Sequence, residues 1–177
     1  MKDMEQRIVL IAAADRRWAI GKDNHLLYKV SEDMRHFREL TTGNIVIYGR
    51  KTLESFPNAK PLRDRLNIVV SGSLTSGDPS LLVAGSPVEA LRIAREADPN
   101  GEKTVFVCGG ASVYRQLLPF CGEAVITRID AETEDADVFL PDLDALRGWK
   151  KISRTGWKES VTGPNYSFVT YRQENHL

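Results

Sequence analysis

The sequence predicts an α/β fold, one domain built on a mostly parallel sheet, and three observations lead there. Short β-type runs alternate with helical patterns along most of the 177 residues. The middle runs are apolar at almost every position, as strands covered on both faces must be. The C-terminal part switches to alternating polar and apolar residues, which suits an antiparallel pair at a sheet edge. Taken in order, residues 7–14 make the first strand. Residues 31–42 follow as a helix, with Asp33, Met34, Phe37, Leu40 and Thr41 on one face and Glu32, Arg35, His36 and Glu39 mostly on others. Residues 45–48 and 66–70 are central strands, separated by a helix over 50–55. Ser86-Pro87-Val88-Glu89 opens a helix over 87–97 with a serine cap, proline in the first turn and glutamate three residues after the cap. Residues 104–108 and 124–129 are strands around a helix over 111–118. Residues 150–159 and 166–172, joined across Thr162-Gly163-Pro164-Asn165, form the closing hairpin. No repeat, linker or low-complexity tract divides the chain. Residues 1–177 are therefore expected to form a single domain, burying roughly 70 per cent of the surface its unfolded form exposes.

Composition excludes several function classes. Twenty-four basic side chains balance 24 acidic ones, so no global field favours nucleic acid or an anionic membrane, and any anion site must be local. No apolar run reaches the roughly 18 to 20 residues of a membrane helix, and a soluble, cytoplasmic protein is expected. Cys108 and Cys121 lie in or beside apolar segments without metal-ligand spacing, which reads as buried free thiols. His25, His36 and His176 share no periodic face, so no metal site is expected.

Asp33 carries the most chemistry. A carboxylate on the inward stripe of a helix, against Met and Phe, loses hydration, and its pKa rises unless a cation or hydrogen-bond donors compensate. It is either a helix-start acid satisfied by backbone N–H groups or a group waiting for a cationic or donor-rich ligand. Two strand ends suit phosphate. Gly49-Arg50-Lys51-Thr52 brings a helix start, two cations and a hydroxyl together, as an anion site or as a solvated basic turn. Gly109-Gly110-Ala111-Ser112 lets a ligand lie against the backbone, or is a plain tight turn. It lacks the Gly-x-Gly-x-x-Gly spacing of the doubly wound dinucleotide folds. The first strand ends in Ala12-Ala13-Ala14, small enough for a flat ring to approach. The long loop beyond it acts as a lid, or packs Trp18 and Ile20.

From about Ile8 to Tyr171 these segments resemble bacterial dihydrofolate reductase. The matching residues are Ala19-Ile20-Gly21 with Asn24, Asp33 with Phe37, Gly49-Arg50-Lys51-Thr52-Leu53-Glu54-Ser55, Arg65-Leu66-Asn67, Gly109-Gly110 with Tyr114, and Thr127-Arg128-Ile129-Asp130-Ala131. The resemblance implies an eight-stranded, mostly parallel sheet with an antiparallel C-terminal strand, flanked by four helices. It implies NADPH-dependent reduction of dihydrofolate to tetrahydrofolate, in support of one-carbon metabolism, by a cytoplasmic monomer open to antifolate inhibitors. Hydride passes from nicotinamide C4 to pterin C6, and water protonates N5. Asp33 would grip the 2-amino group and N3 of the pterin, with Thr127 hydrogen-bonded to it and Tyr28 nearby. Ile11, Ala12, Leu26, Met34, Phe37, Phe56, Leu62, Cys108 and Tyr114 would line the substrate site, and Arg65 would hold the carboxylate of the glutamate tail. Ala13, Ile20, Gly21, Asn24 and Tyr114 would lie about the nicotinamide end of the cofactor. Gly49, Arg50, Lys51 and Thr52 would meet its phosphates, Arg50 taking the 2′-phosphate. Val70, Ser71, Gly72 and Ser73 would assist, along with Cys108, Gly109, Gly110, Ala111, Ser112 and Val113, the Gly109–Gly110 bond being cis.

Three segments depart from that pattern. Leu26-Leu27-Tyr28 stands where Leu-Pro-Trp is common, so a phenol replaces an indole donor. Ala111 and Ser112 replace a frequent glycine and arginine, and the stretch from Phe56 to Pro61 is longer than usual. Two other functions remain to be separated from the reductase: the related pyrimidine reductase of riboflavin synthesis, and a nicotinamide-nucleotide-binding regulator without turnover. The first would need a sugar-phosphate site in place of Arg65, and the second could dispense with Asp33.

Overall fold

A computed structural model describes residues 5–21 and 28–174. Apolar, often β-branched runs extend into strands and pair by their backbones, leaving each strand with side chains on both faces of the sheet. The strands are β1 (Ile8–Ala14), β2 (Ala19–Gly21), β3 (Ile45–Gly49), β4 (Leu66–Val70), β5 (Leu81–Ala84), β6 (Val105–Val107), β7 (Glu123–Ile129), β8 (Val138–Phe139), β9 (Trp149–Arg154) and β10 (Tyr166–Gln173). Eight of them form one sheet in the order β5-β4-β3-β6-β1-β7-β10-β9, and β2 pairs with β8 in a small separate one. In the main sheet β10 runs antiparallel to both of its neighbours, β7 and β9, and every other pair is parallel. The expected sheet is thus the one found.

Four α-helices cover it: α1 (Ser31–Thr41), α2 (Arg50–Ser55), α3 (Pro87–Ala97) and α4 (Ala111–Leu117). Strand alternation splits the core in two. Val9, Ile11, Val46, Tyr48, Val69 and Phe106 face one side, where Phe37 and Leu40 of α1 and Leu53 of α2 pack on them. Leu10, Ile45, Ile47, Ile68, Val105 and Val107 face the other, against Ala90 and Ala94 of α3 and Val113 and Leu117 of α4.

The differences from the sequence reading are local. The strand β5 and the β2–β8 pair were not expected, being four, three and two residues long. The first arm of the hairpin is β9, which ends at Arg154 rather than at residue 159; beyond it only Lys158 bridges Tyr166. The helix over 111–118 stops at Leu117, because Pro119 turns the chain into a 3-10 segment, Leu118–Phe120. Trp18 packs in the core at 4% exposure, while residues 22–24 of the same loop, on which the lid expectation also rests, lie outside the described residues.

Candidate active site

The carboxyl ends of β1, β3, β4, β6 and β7 carry many of the residues singled out in the sequence, with Asp33 on α1 and Arg65 just before β4. Asp33 lies in the first turn of α1, but its side chain caps no backbone N–H there. Its one hydrogen-bond partner among the described residues is Thr127 of β7, whose hydroxyl donates to Oδ1 at 2.5 Å. Burial pushes the carboxyl above its ordinary pKa, while the Thr127 hydroxyl and the charge of His36 pull it back. No cation forms an ion pair with it among the described residues. A carboxylate that is largely desolvated and holds one neutral partner keeps Oδ2 and its remaining lone pairs for an incoming donor pair. That disposes of the helix-cap alternative.

Ala13, Asp15, Ala19, Ile20, Tyr28, Asp33 and Ile129 line one small cavity. The Tyr28 hydroxyl is hydrogen-bonded to Thr133, not to Asp33. Ile11, Phe37, Phe56, Leu62 and Cys108 belong to one apolar cluster on the α1 side, with the ring of Phe56 edge-on to Tyr48 at 5.0 Å. Met34 is 53% exposed, one step off the buried stripe, and Ala12 faces the side opposite to Ile11. Val70 and Ile20 pack on that opposite side as well. Leu26 and Asn24 lie outside the described residues.

Arg65 is built into place. Asn67, wholly buried, accepts from the Tyr48 hydroxyl at 2.7 Å and from Leu62 N at 2.9 Å, and donates to the carbonyls of Leu62 and Arg65 at 2.8 and 3.0 Å. The turn this braces presents Arg65, whose Nε donates to the Arg63 carbonyl and Nη1 to the Thr41 hydroxyl. Partial burial lowers its pKa from the usual arginine range, and no ion pair involves it among the described residues. Arg63, two residues before it, contributes its backbone carbonyl to the Nε contact. The Arg-x-Asn spacing was therefore a legible sign of Asn67, while Tyr48 left no sign of its own.

The two glycine turns stand side by side. Gly49 and Gly110 are the N-caps of α2 and α4, neither helix start has a side-chain cap, and Gly49 N donates to the Gly109 carbonyl at 2.9 Å. The Gly109–Gly110 peptide is cis, as expected, and Gly109 has φ +120°, where a side chain would also crowd the Tyr114 ring at 3.3 Å. A Cβ on Gly110 would reach Thr52 Oγ1 at 3.8 Å, and one on Gly49 would reach Val113 at 3.6 Å. The Tyr114 hydroxyl donates to the Ile11 carbonyl at 2.7 Å, and burial holds the phenol neutral far above its ordinary pKa. Arg50 is half-exposed and makes only a loose pair with Glu54 at 3.6 Å. Thr52 and Lys51 follow it on α2, and Ala111 opens α4. Ser71 Oγ accepts from Ser73 N and Leu74 N, folding the turn past Gly72. Ser112 takes a hydrogen bond from Gln116. Gly21 ends β2.

The thiols are both free. Cys121 is buried, its pKa pushed up to about 12, and Cys108 is half-buried, its thiol also held neutral by desolvation. No group of three metal-ligating side chains occurs among the described residues.

Comparison with known proteins agrees with this geometry. A family model described as dihydrofolate reductase matches residues 7–173. The chain is 36% identical over 165 residues to the dihydrofolate reductase of Neisseria meningitidis serogroup A, spanning 93% of this chain and 97% of that protein. With the dihydrofolate reductase of Bacillus subtilis it shares 34% over 169 residues, 95% of each. A solved structure, dihydrofolate reductase from Enterococcus faecalis complexed with NADP(H) and RAB-propyl, superposes with a TM-score of 0.80 at 27% identity, spanning 96% of this chain and 97% of that one.

Proposed function

This chain belongs to the dihydrofolate reductase family, and on that premise we propose that Asp33 is the single acid of a pterin site between β1, α1 and β7. The protein is an NADPH-dependent oxidoreductase that reduces dihydrofolate to tetrahydrofolate. Bound NADPH supplies the hydride, from nicotinamide C4 to pterin C6. The residues of the chain bind, orient and polarise. Asp33 accepts two parallel hydrogen bonds from the 2-amino group and N3 of the pterin, and its charge favours the ring protonated at N5, with water as the proton source. Thr127 holds one carboxylate oxygen and so fixes the plane in which the other acts. Ile11, Phe37, Phe56 and Leu62 give the ring and its aminobenzoyl extension an apolar wall. Arg65, braced by Asn67, takes the carboxylate of the glutamate tail with a planar fork.

The residues present fit the cofactor. The two uncapped helix starts at Gly49 and Gly110 offer free N–H groups to phosphate. Arg50, whose surface pair with Glu54 is easily given up, would take the 2′-phosphate. Ala13 and Ile20, which line the cavity shared with Asp33, would meet the nicotinamide. Tyr28, tied to Thr133, lines the same cavity and would act there rather than by a bond to the acid itself. The reading extends to a cytoplasmic monomer, and no helix of the described residues is long and apolar enough to cross a membrane.

The observation that carries the proposal is a desolvated carboxylate with one neutral hydrogen-bond partner among the described residues. Loss of NADPH absorbance with dihydrofolate tests it, against NADH and against a ribosylated aminopyrimidine as controls. In the Asp33→Asn variant neutral-pH turnover is expected to fall by about 10²- to 10⁴-fold, with partial recovery as acid protonates the substrate directly. A pH–rate profile identical to that of the parent protein would remove Asp33 from this role.

A further inference from the structure

Thr127 and Arg128 are neighbours on β7, so their side chains leave opposite faces of the sheet. Thr127 goes to Asp33, and Arg128 goes to the side where β1 ends, in register with Ala14. There Nη2 of Arg128 donates to the carbonyls of Asp15 at 3.1 Å and Arg16 at 3.3 Å. Nη1 donates to Asp144 at 3.2 Å, and the guanidinium lies 4.0 Å over the Trp18 ring. The side chain is only 15% exposed, and its Nε is buried without a partner among the described residues. Asp144 is itself held by the Tyr171 hydroxyl at 2.9 Å and the Lys151 ammonium at 3.1 Å.

What Arg128 grips is a single tight turn. Trp18 has φ +66°, an unfavourable region for an indole side chain, and its carbonyl accepts from Leu140 N at 2.8 Å. Asp15, buried within the turn, accepts from Arg17 N, Ala19 N and Thr133 N at 2.8 to 3.0 Å. The chain leaves this turn directly into β2, and Ile20 in β2 lines the same cavity as Ala13 and Asp33. Lysine could not replace the contact set. Two carbonyls, a carboxylate and a ring face call for a planar fork that donates in its plane and stacks with its face.

We propose that Arg128 is a positioning residue for the reaction: from the face of the sheet opposite Asp33 it locks the 15–18 turn, and thereby sets Ile20 as the wall against which the nicotinamide ring is aligned. This rests on the reading of Ile20 as a cofactor contact. Arg128 touches neither reactant, so its loss should be felt in cofactor binding and hydride transfer and not in affinity for the substrate.

The test compares the full-length chain with Arg128→Lys and with Asp144→Asn, which loosens the same guanidinium from behind. Titration calorimetry gives the Kd for NADPH, and steady-state assays give kcat and both KM values. Arg128→Lys is expected to weaken NADPH binding about tenfold and lower kcat about tenfold to a hundredfold, with KM for dihydrofolate within about twofold. Asp144→Asn should move the same constants in the same direction by less. A lower Tm with unchanged Kd and kcat means that Arg128 only stabilises the fold and overturns the proposal. A rise in KM for dihydrofolate that matches the loss of NADPH affinity overturns it too. If Arg128→Lys does not fold, Asp144→Asn decides alone, and an unaltered NADPH Kd counts against the lock. A parent protein that binds NADPH but does not turn over dihydrofolate would instead defeat the functional reading, while the calorimetry would still judge Arg128.

Discussion

Asp33 sits where its charge costs the fold something. Burial raises its carboxyl pKa above the ordinary value, and the Thr127 hydroxyl and the charge of His36 only partly offset this. His36 is no standing counter-ion. Stacked on Phe168 at 3.9 Å, it has its own pKa lowered by burial, against the opposing pull of Asp33 and Glu39 and with a further push down from Lys158, which favours its neutral form. A folded carboxyl with a raised pKa holds its proton more tightly than the unfolded chain does. Stability therefore falls as pH rises from the unfolded value of about 3.9 through the raised folded one, and the whole cost is present at pH 7. An amide keeps an oxygen for Thr127 and removes the charge. Asp33→Asn is thus expected to raise Tm at neutral pH by a few degrees, at about 2–4 °C per kcal/mol for a chain of this size. That gain should shrink as pH drops toward the unfolded carboxyl pKa. Thermal melts across the acid range check this, and an unchanged or lower Tm at neutral pH would mean that the carboxylate is not strained. The inward direction of Asp33 was legible from helical period alone. Tyr28–Thr133 and Arg128–Asp15 were not, because they join residues more than a hundred positions apart that share no pattern along the chain.

At the scale of elements, the helices divide by how they begin. Ser86 accepts from Glu89 N at 3.1 Å and Glu89 accepts from Gly85 N at 2.7 Å, a closed cap on α3. The starts of α2 and α4 carry no such side-chain cap. Ser86→Ala is expected to cost about 1 kcal/mol and lower Tm by about 2–4 °C, while kcat and both KM values stay as they are. Changed kinetic constants would show that α3 reaches the site through β4 and β5. The same contrast explains what could be read from the chain. Ser-Pro-x-Glu announces a helix start by chemistry that is local, and the β1, β3, β4 and β7 runs announce themselves by length and apolarity. Strand β5 has four residues, and β2 and β8 exist only because their ends are brought together by the rest of the fold. Pairing that short has no local signature, because its stability comes from its neighbours.

For the whole molecule, strand order places the chemistry. With β3 and β6 adjacent at the centre and β1 and β7 next to them, the carboxyl ends of the parallel strands gather two open helix starts, Asp33 and Thr127 at one rim, where sheets of this kind bind ligands. The outer strand β9 carries Lys150, Lys151 and Arg154, charges that oppose edge-to-edge pairing. Because 24 basic groups balance 24 acidic ones, preference for an extra phosphate has to come from the few cations at that rim. Linkage makes this measurable without turnover. At a concentration about 100 times its Kd, NADPH is expected to add about 2.7 kcal/mol to the folded state, a rise in Tm of about 5–10 °C. NADH at the same concentration should raise Tm less. Removing Arg50 should close that gap, and since its exposed pair with Glu54 is worth no more than about 1 kcal/mol, the ligand-free Tm of Arg50→Ala should stay near that of the parent. Three melts of each protein, ligand-free, with NADPH and with NADH, separate the possibilities. Equal shifts from the two dinucleotides in the parent protein would show that the rim does not read the 2′-phosphate. A gap that persists in Arg50→Ala would assign that reading to another cation beside α2.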